Sequence, residues 1–271
     1  MKTLIIKTLL AAAGTALLAQ AVAAQTTTVN DGDLLLDFRA GGGAGFGTDY
    51  EVDLGAASLY FGAAQGAAPF TISGVSLTDL SATYGSDWST RSDLYWGVIG
   101  SSGGSGALGK PTYTIWASAP EPMSGVQSAP WARGSLNAQQ ITGSYVASLY
   151  DGFRNSPVAD SPTATLKLTG SPNSYETASQ DVSGTVGTFG AFYPSIEGTP
   201  GAVLDLYEMQ YGTRGDGTIN ADGALVGSFY FDANNNNALT FVAVPEPGAG
   251  GLFMAAGAAA LLLRQRRRKQ V

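Results

Sequence analysis

Between residues 33 and 243 the chain repeatedly switches apolar and polar positions every second residue, the period of a strand with one buried face. Residues 34–38 and 50–54 predict early strands on either side of a glycine-rich turn at 41–47. Residues 94–99, 112–116, 164–168 and 203–211 read as further strands. Residues 225–231 and 239–244 form a closing hairpin, whose asparagine tip tolerates left-handed backbone. Helical spacing occurs twice. Ser76 caps 77–84, with Leu77, Leu80 and Tyr84 on one face and Gly85 as the stop. Ser135 caps 136–150, with Ile141, Tyr145 and Leu149 inward, although Gly143 lowers the propensity of that segment. Residues 117–134, rich in Pro, Ser and Gly, predict a loop. The expected fold is mainly β, an antiparallel β-sandwich with one or two short helices.

The two ends follow a different logic. Lys2 and Lys7 precede an apolar stretch, and small residues at 21–24 suit signal peptidase, which predicts cleavage between Ala24 and Gln25. At the other end residues 248–263 carry no charge, and at about 1.5 Å per residue they extend about 24 Å, against ~30 Å for a hydrocarbon core. Arg264, Arg266, Arg267, Arg268 and Lys269 follow as a stop-transfer cluster. The division expected is a signal peptide at 1–24, a β-rich ectodomain at 25–243, and a C-terminal signal at 244–271 comprising a motif, a single transmembrane helix and a basic tail.

Val244, Pro245, Glu246 and Pro247, followed by that apolar run and basic cluster, resemble the PEP-CTERM sorting signal. The tripeptide at 120–122 has neither feature after it, so the three-part context carries the resemblance. Residues 33–40, 84–100 and 225–241 are also similar to uncharacterised ectodomains of that family. The resemblance implies an exosortase substrate exported by the Sec machinery of a Gram-negative bacterium. It implies inner-membrane anchorage through the C-terminal helix in transit, then residence at the cell surface or outside the cell. Exopolysaccharide is a further expected partner.

Composition narrows the chemistry. The 271 residues include no Cys and no His. This excludes disulfides, thiol nucleophiles, imidazole bases and His-based metal sites. The formal charge of −7 divides unevenly: seven of the fourteen basic residues lie in the end segments, leaving residues 25–247 at −14. So acidic a body repels nucleic acid. No catalytic residue, metal or cofactor is expected.

Several motifs fail on context. Gly104, Gly106 and Gly109 match a dinucleotide fingerprint, but a strand follows where a helix is required. Gly100, Ser102 and Gly104 match a nucleophile elbow in a chain without its histidine. The RGD tripeptide at 214–216 stands in a loop without context. Asp216, Asn220 and Asp222 miss the spacing of an EF-hand, so only an irregular calcium site stays open. Glu51 and Glu208, in strands, are the carboxylates a glycosidase would use, and each reads more simply as a charge on the outer face of a sheet. Trp96 and Trp116 fall in strands and belong in the core, whereas Trp88 and Trp131 fall outside and suit a sugar-stacking platform. The function expected is a non-enzymatic structural or interaction role. A lectin-like glycan-binding domain and a carboxylate-dependent glycosidase are the alternatives.

Overall fold

Each strand of the chain is apolar at alternate positions, and the residues between those positions are also mostly withdrawn from water. A computed structural model describes residues 29–61, 68–154, 163–211 and 222–243. The strands are β1 (Asp33–Ala40), β2 (Thr48–Ala56), β3 (Phe70–Thr71), β4 (Leu94–Ser101), β5 (Ile115–Pro120), β6 (Ala164–Leu168), β7 (Leu204–Met209), β8 (Ala224–Asp232) and β9 (Ala238–Ala243). The α-helices are α1 (Ser58–Phe61), α2 (Leu77–Tyr84), α3 (Leu136–Arg154) and α4 (Tyr175–Ser179). All nine strands join one sheet in the order β3-β9-β8-β7-β5-β4-β1-β2-β6, and every pairing is antiparallel.

The sheet is curled. Phe231 of β8 lies 5.7 Å from Phe38 of β1 and 4.9 Å from Trp96 of β4, ring to ring. In sheet order β8 and β1 are four strands apart. A flat sheet at about 4.8 Å per strand would separate them by about 19 Å. Only a sheet bent into a half-barrel brings these rings together. Its enclosed face holds Leu36, Phe38, Val52, Trp96, Trp116 and Phe229, among others, with Leu80 and Tyr84 of α2 packed against them. Tyr84 donates its hydroxyl to the carbonyls of Phe38 and Thr48 at 2.9 and 3.0 Å. Its ring lies where a β-carbon of Gly45 would stand, and Gly45 has φ +76°. Glycine is therefore required in that turn on two grounds.

The opposite face is covered by α3 and α4. Val146, Leu149, Tyr150 and Phe153 of α3 pack with Leu35, Ile99, Ile115 and Met209 of the sheet. Tyr150 fixes the dock: its hydroxyl donates to the Asp33 carbonyl at 2.5 Å and accepts from the Ser101 amide at 2.9 Å.

The structure corrects the expected β-sandwich. β5 pairs with β4 on one side and β7 on the other, so what would be two sheets is one continuous sheet. Curling and sandwiching bury the same alternation, and only the long-range pairing tells them apart. The expected strand at 112–116 begins later, at Ile115, because Tyr113 adopts φ 53°. The expected loop at 117–134 correspondingly loses its first residues to β5. The capped α2 lies where expected, with Ser76 accepting from the Asp79 amide at 3.1 Å. α3 is longer than expected, and its buried stripe is rotated. Gln139, Thr142, Gly143, Val146, Leu149, Tyr150 and Phe153 face inward, while Ile141 is 47% exposed. Val146, Leu149, Tyr150 and Phe153 define that stripe at helical spacing, and Gly143 permits the close approach, since a β-carbon there would sit 2.8 Å from Cδ1 of Tyr113.

The expectation of a membrane-spanning helix is also corrected. Among the described residues no helix is long and apolar enough to cross a membrane. The longest, α3, carries polar residues along its outer face. Membrane anchorage and the anchored-then-surface localisation depended on such a helix, and the exosortase and Sec partnerships on the end segments; nothing in the described residues carries any of them. Residues 248–263, Val244 to Pro247, the basic cluster from Arg264 to Lys269, and the cleavage site at Ala24 and Gln25 lie outside the described residues.

The ring cluster that closes the half-barrel yields a stability prediction. Phe38→Ala should destabilise the fold by about 3–5 kcal/mol. Phe46→Ala, at a side chain 69% exposed, should stay within about 0.5 kcal/mol of wild type. Urea unfolding midpoints at constant m-value measure both.

Candidate binding site

Strands β1 and β2 place an acid at nearly every second position, and all of these acids point to the face that α3 and α4 cover. Asp37 and Glu51 are direct cross-strand partners, as are Arg39 and Asp49. Asp37, Asp49 and Glu51 have no exposed surface. Lys167 of β6 lies 2.7 Å from Oε2 of Glu51, and the amides of Tyr175 and Glu176 donate to Glu51 and Asp49, each at 2.9 Å. Arg39 grips Glu197 in a fork, Nε to Oε1 and Nη2 to Oε2, both at 2.6 Å. Both oxygens of Asp37 lack a hydrogen-bond donor.

Burial dominates the titration of this layer. It pushes Glu51 up to about 7 against the pull of Lys167, and Asp49 up to about 7 against the amide of Glu176. Asp53 also rises to about 7 through burial, opposed by the Gly55 amide. Asp37 is raised well above the usual carboxylate range, first by burial and then by the charges of Glu51 and Asp49. These groups are almost wholly withdrawn from solvent. Among the described residues no set of acids is arranged to hold a metal ion.

The expected surface positions of Glu51 and Glu208 are thereby corrected. Glu51 is enclosed beneath α4. Glu208 faces the other side of the sheet, with Oε2 2.7 Å from Lys110 and 3.2 Å from the indole nitrogen of Trp116. β2 and β7 stand four strands apart in the sheet. The two acids share no cleft, as a glycosidase pair must.

The tryptophans divide more finely than their sequence positions implied. Trp96 and Trp116 are core, as expected, but so is Trp88, at 3% exposure, because the ring meets Phe38 and Phe231 edge-on. Trp131 is different. Its indole nitrogen donates to the Ser118 carbonyl at 2.9 Å, its ring lies 5.1 Å from that of Phe192, and it lines a groove of about 460 Å³. That volume falls within the ~300–1,000 Å³ typical of small-ligand sites.

Three stretches of chain build this groove over a floor of Ile115 and Met209, which are cross-strand partners in β5 and β7. The segment before α3 supplies Trp131 and Arg133, the first turns of α3 supply Gln139 and Thr142, and the loop around Gly190 supplies Phe192 and Tyr193. The loop is tied to the helix by the Thr142 hydroxyl, which donates to the Phe189 carbonyl at 3.2 Å. Two polar atoms in this lining have no partner: Nε of Arg133 and Oε1 of Gln139. Among the described residues no carboxylate lines the groove. At the rim, Asp222 pairs by its backbone with Ala132, and Asp181 accepts the Tyr193 hydroxyl at 2.9 Å.

Arg133 and Gln139 were not singled out in the sequence. One signal was available for Arg133: it stands two residues from Trp131 in a body with few basic side chains. Gln139 offered none. The remaining motifs resolve structurally. Gly104, Gly106 and Gly109 belong to the turn between β4 and β5, with no helix after them. The Ser102 hydroxyl of the elbow-like match is buried between the Pro111 carbonyl and the Thr114 amide, at 2.6 and 2.9 Å. The RGD tripeptide, Asp216 and Asn220 lie outside the described residues. No family model, curated protein or solved structure matches this chain, so its geometry alone carries a functional reading.

The buried acids predict an unusual pH profile. In the unfolded chain they titrate near pH 4, and in the fold near pH 7. Between these values the folded state holds more protons, so stability falls as pH rises from about 4 through about 7. Asp181 acts in the opposite sense: Ser183 and Thr185 draw it down to about 2, so its contribution is lost only in stronger acid. Chemical denaturation from pH 3 to 9 should show a maximum near pH 4–5. Asp37→Asn should flatten the alkaline limb.

Proposed function

We propose that this chain is a non-enzymatic binding protein whose groove beside Trp131 takes a saccharide. One observation carries the reading: a half-buried indole, held by its own nitrogen, stands in a ligand-sized groove with an unpaired donor and an unpaired acceptor. A sugar ring presents an apolar C–H face to an aromatic ring and hydroxyls at its edge, and those hydroxyls satisfy a donor and an acceptor together. Binding is favoured over hydrolysis because, among the described residues, the groove is lined by no carboxylate to protonate a leaving group or attack an anomeric carbon.

A glycan array followed by titration calorimetry tests the proposal. Trp131→Ala should lower affinity at least about tenfold, or about 1.4 kcal/mol. Tryptophan fluorescence supplies an independent readout. Trp88, Trp96 and Trp116 are enclosed, so a ligand-induced change should vanish in Trp131→Phe. If no saccharide binds, a structural role without a small ligand becomes the reading.

A further inference from the structure

We infer that the saccharide taken by this groove carries a carboxylate next to a hydroxyl, as a uronate does, and that Arg133 selects it. The inference rests on the glycan reading above and names its ligand class.

The first observation concerns the pairing of charge. Among the described residues, Arg39, Arg91, Lys110, Arg154 and Lys167 each lie within ion-pair distance of a carboxylate. Arg133 has no such partner. Acids outnumber bases by 21 to 14 along the chain, so a scarcity of carboxylates does not explain the exception. The segment holding Arg133 is itself well fixed: the Trp131 carbonyl accepts from the Gly223 amide at 2.8 Å, and Ala132 bridges Asp222. The guanidinium is held beside the groove and left unpaired there.

The second observation is the buried state of its Nε, which has no acceptor. Leaving a buried donor unsatisfied is costly, and more so when the group is charged. A ligand acceptor removes that penalty, and an anionic one removes most of it.

The third observation is Gln139, only 4% exposed. Its Nε2 donates to the Met209 carbonyl at 3.3 Å, which orients the amide and leaves Oε1 as a buried acceptor in the same lining. An orphan cationic donor and an orphan neutral acceptor require a ligand that is anionic at one point and donates a hydroxyl at another. On a sugar ring, a carboxylate beside a hydroxyl meets both needs. A planar guanidinium matches a planar carboxylate. One cation balances one carboxylate, whereas a phosphate dianion would leave excess negative charge against a body already at −14.

The test is calorimetry on the purified full chain. Galacturonate and glucuronate oligomers of two to four residues are compared with neutral galactose and glucose oligomers of the same linkage, and with glucose 6-phosphate. Wild type should bind an acidic oligomer at least about tenfold more tightly than its neutral counterpart, which corresponds to about 1.4 kcal/mol. Arg133→Gln should bring the acidic oligomer down to the affinity of the neutral one. Arg133→Lys should recover only part of the preference, because an ammonium lacks the fork. Unchanged urea midpoints confirm that both variants fold. Equal affinity for acidic and neutral oligomers in wild type overturns this inference and leaves the glycan reading standing. Tighter binding of glucose 6-phosphate than of any uronate also overturns it. If neither oligomer series binds, the glycan reading fails first and this inference goes with it.

Discussion

Phe231 meets Phe38 and Trp96 across a sheet in which their strands are not neighbours, and the rest of the architecture follows from that closure. A curled sheet encloses one face completely. Its other face then bends outward, presents apolar positions such as Leu35, Ile99 and Ile115, and needs a cover. α3 supplies it, docked through Tyr150 onto the Asp33 carbonyl and the Ser101 amide. Once both faces are covered, residues that alternate with the core have no route to water. The acids of β1 and β2 are therefore buried by topology, against their own chemistry.

That consequence explains what the sequence revealed and what it concealed. Strand positions, the cap at Ser76 and the closing hairpin with Asn236 and Asn237 in left-handed backbone depend on neighbours a few residues away, and they were legible. The alternation of Asp49, Tyr50, Glu51, Val52 and Asp53 was legible as a strand. The destination of its polar side was not, because a solvated face and a face lying under a helix give the same pattern. The order of strands in the sheet was illegible for a related reason. β5 joins β4 to β7 through residues that look no different from those of two separate sheets. In α3 the buried stripe follows Val146, Leu149, Tyr150 and Phe153 at helical spacing and leaves Ile141 exposed, and the polar Gln139 and Thr142 that extend it give no apolar signal. The groove was the least legible feature, because it exists only where three distant stretches converge on β5 and β7. Trp131 could be singled out as an unplaced tryptophan. Arg133 and Gln139 acquire meaning only from the partners that the folded neighbourhood does not give them.

The fold uses its few cations accordingly. Arg39 and Lys167 lie beneath α4, where Glu197 and Glu51 would otherwise be uncompensated in a medium that penalises isolated charge. Asp37 has no hydrogen-bond donor of its own, and burial with the neighbouring acids raises it well above the usual carboxylate range. In this layer neutralisation comes from protonation as much as from pairing. A buried layer organised in that way holds the sheet against α4 without needing access to solvent, and it serves poorly as a site for chemistry. The absence of histidine is consistent with this division, since the layer titrates through carboxyls displaced upward by burial.

The groove is coupled to this scaffold through one residue. The Ser118 hydroxyl accepts from the Val98 amide and donates to the Ile196 carbonyl, both at 2.9 Å, while its own carbonyl receives the Trp131 indole. One residue of β5 thus ties together β4, the segment after Phe192, and the aromatic wall of the groove. The indole has two torsions, and its nitrogen bond restricts both; the Gln139 amide is oriented through Met209. Little side-chain freedom is left for a ligand to remove, so the entropic penalty of ordering the site, about 0.5–1.5 kcal/mol for each flexible side chain, has largely been met in folding. The Gln139 acceptor is held by its amide's bond to Met209, and the Nε of Arg133 is buried in the same lining. A groove that is rigid where it is polar recognises by mismatch as much as by match: a ligand without an acceptor for Arg133 or a donor for Gln139 displaces water from those atoms and gives nothing back. On the proposed reading, selectivity arises from what the fold leaves unsatisfied.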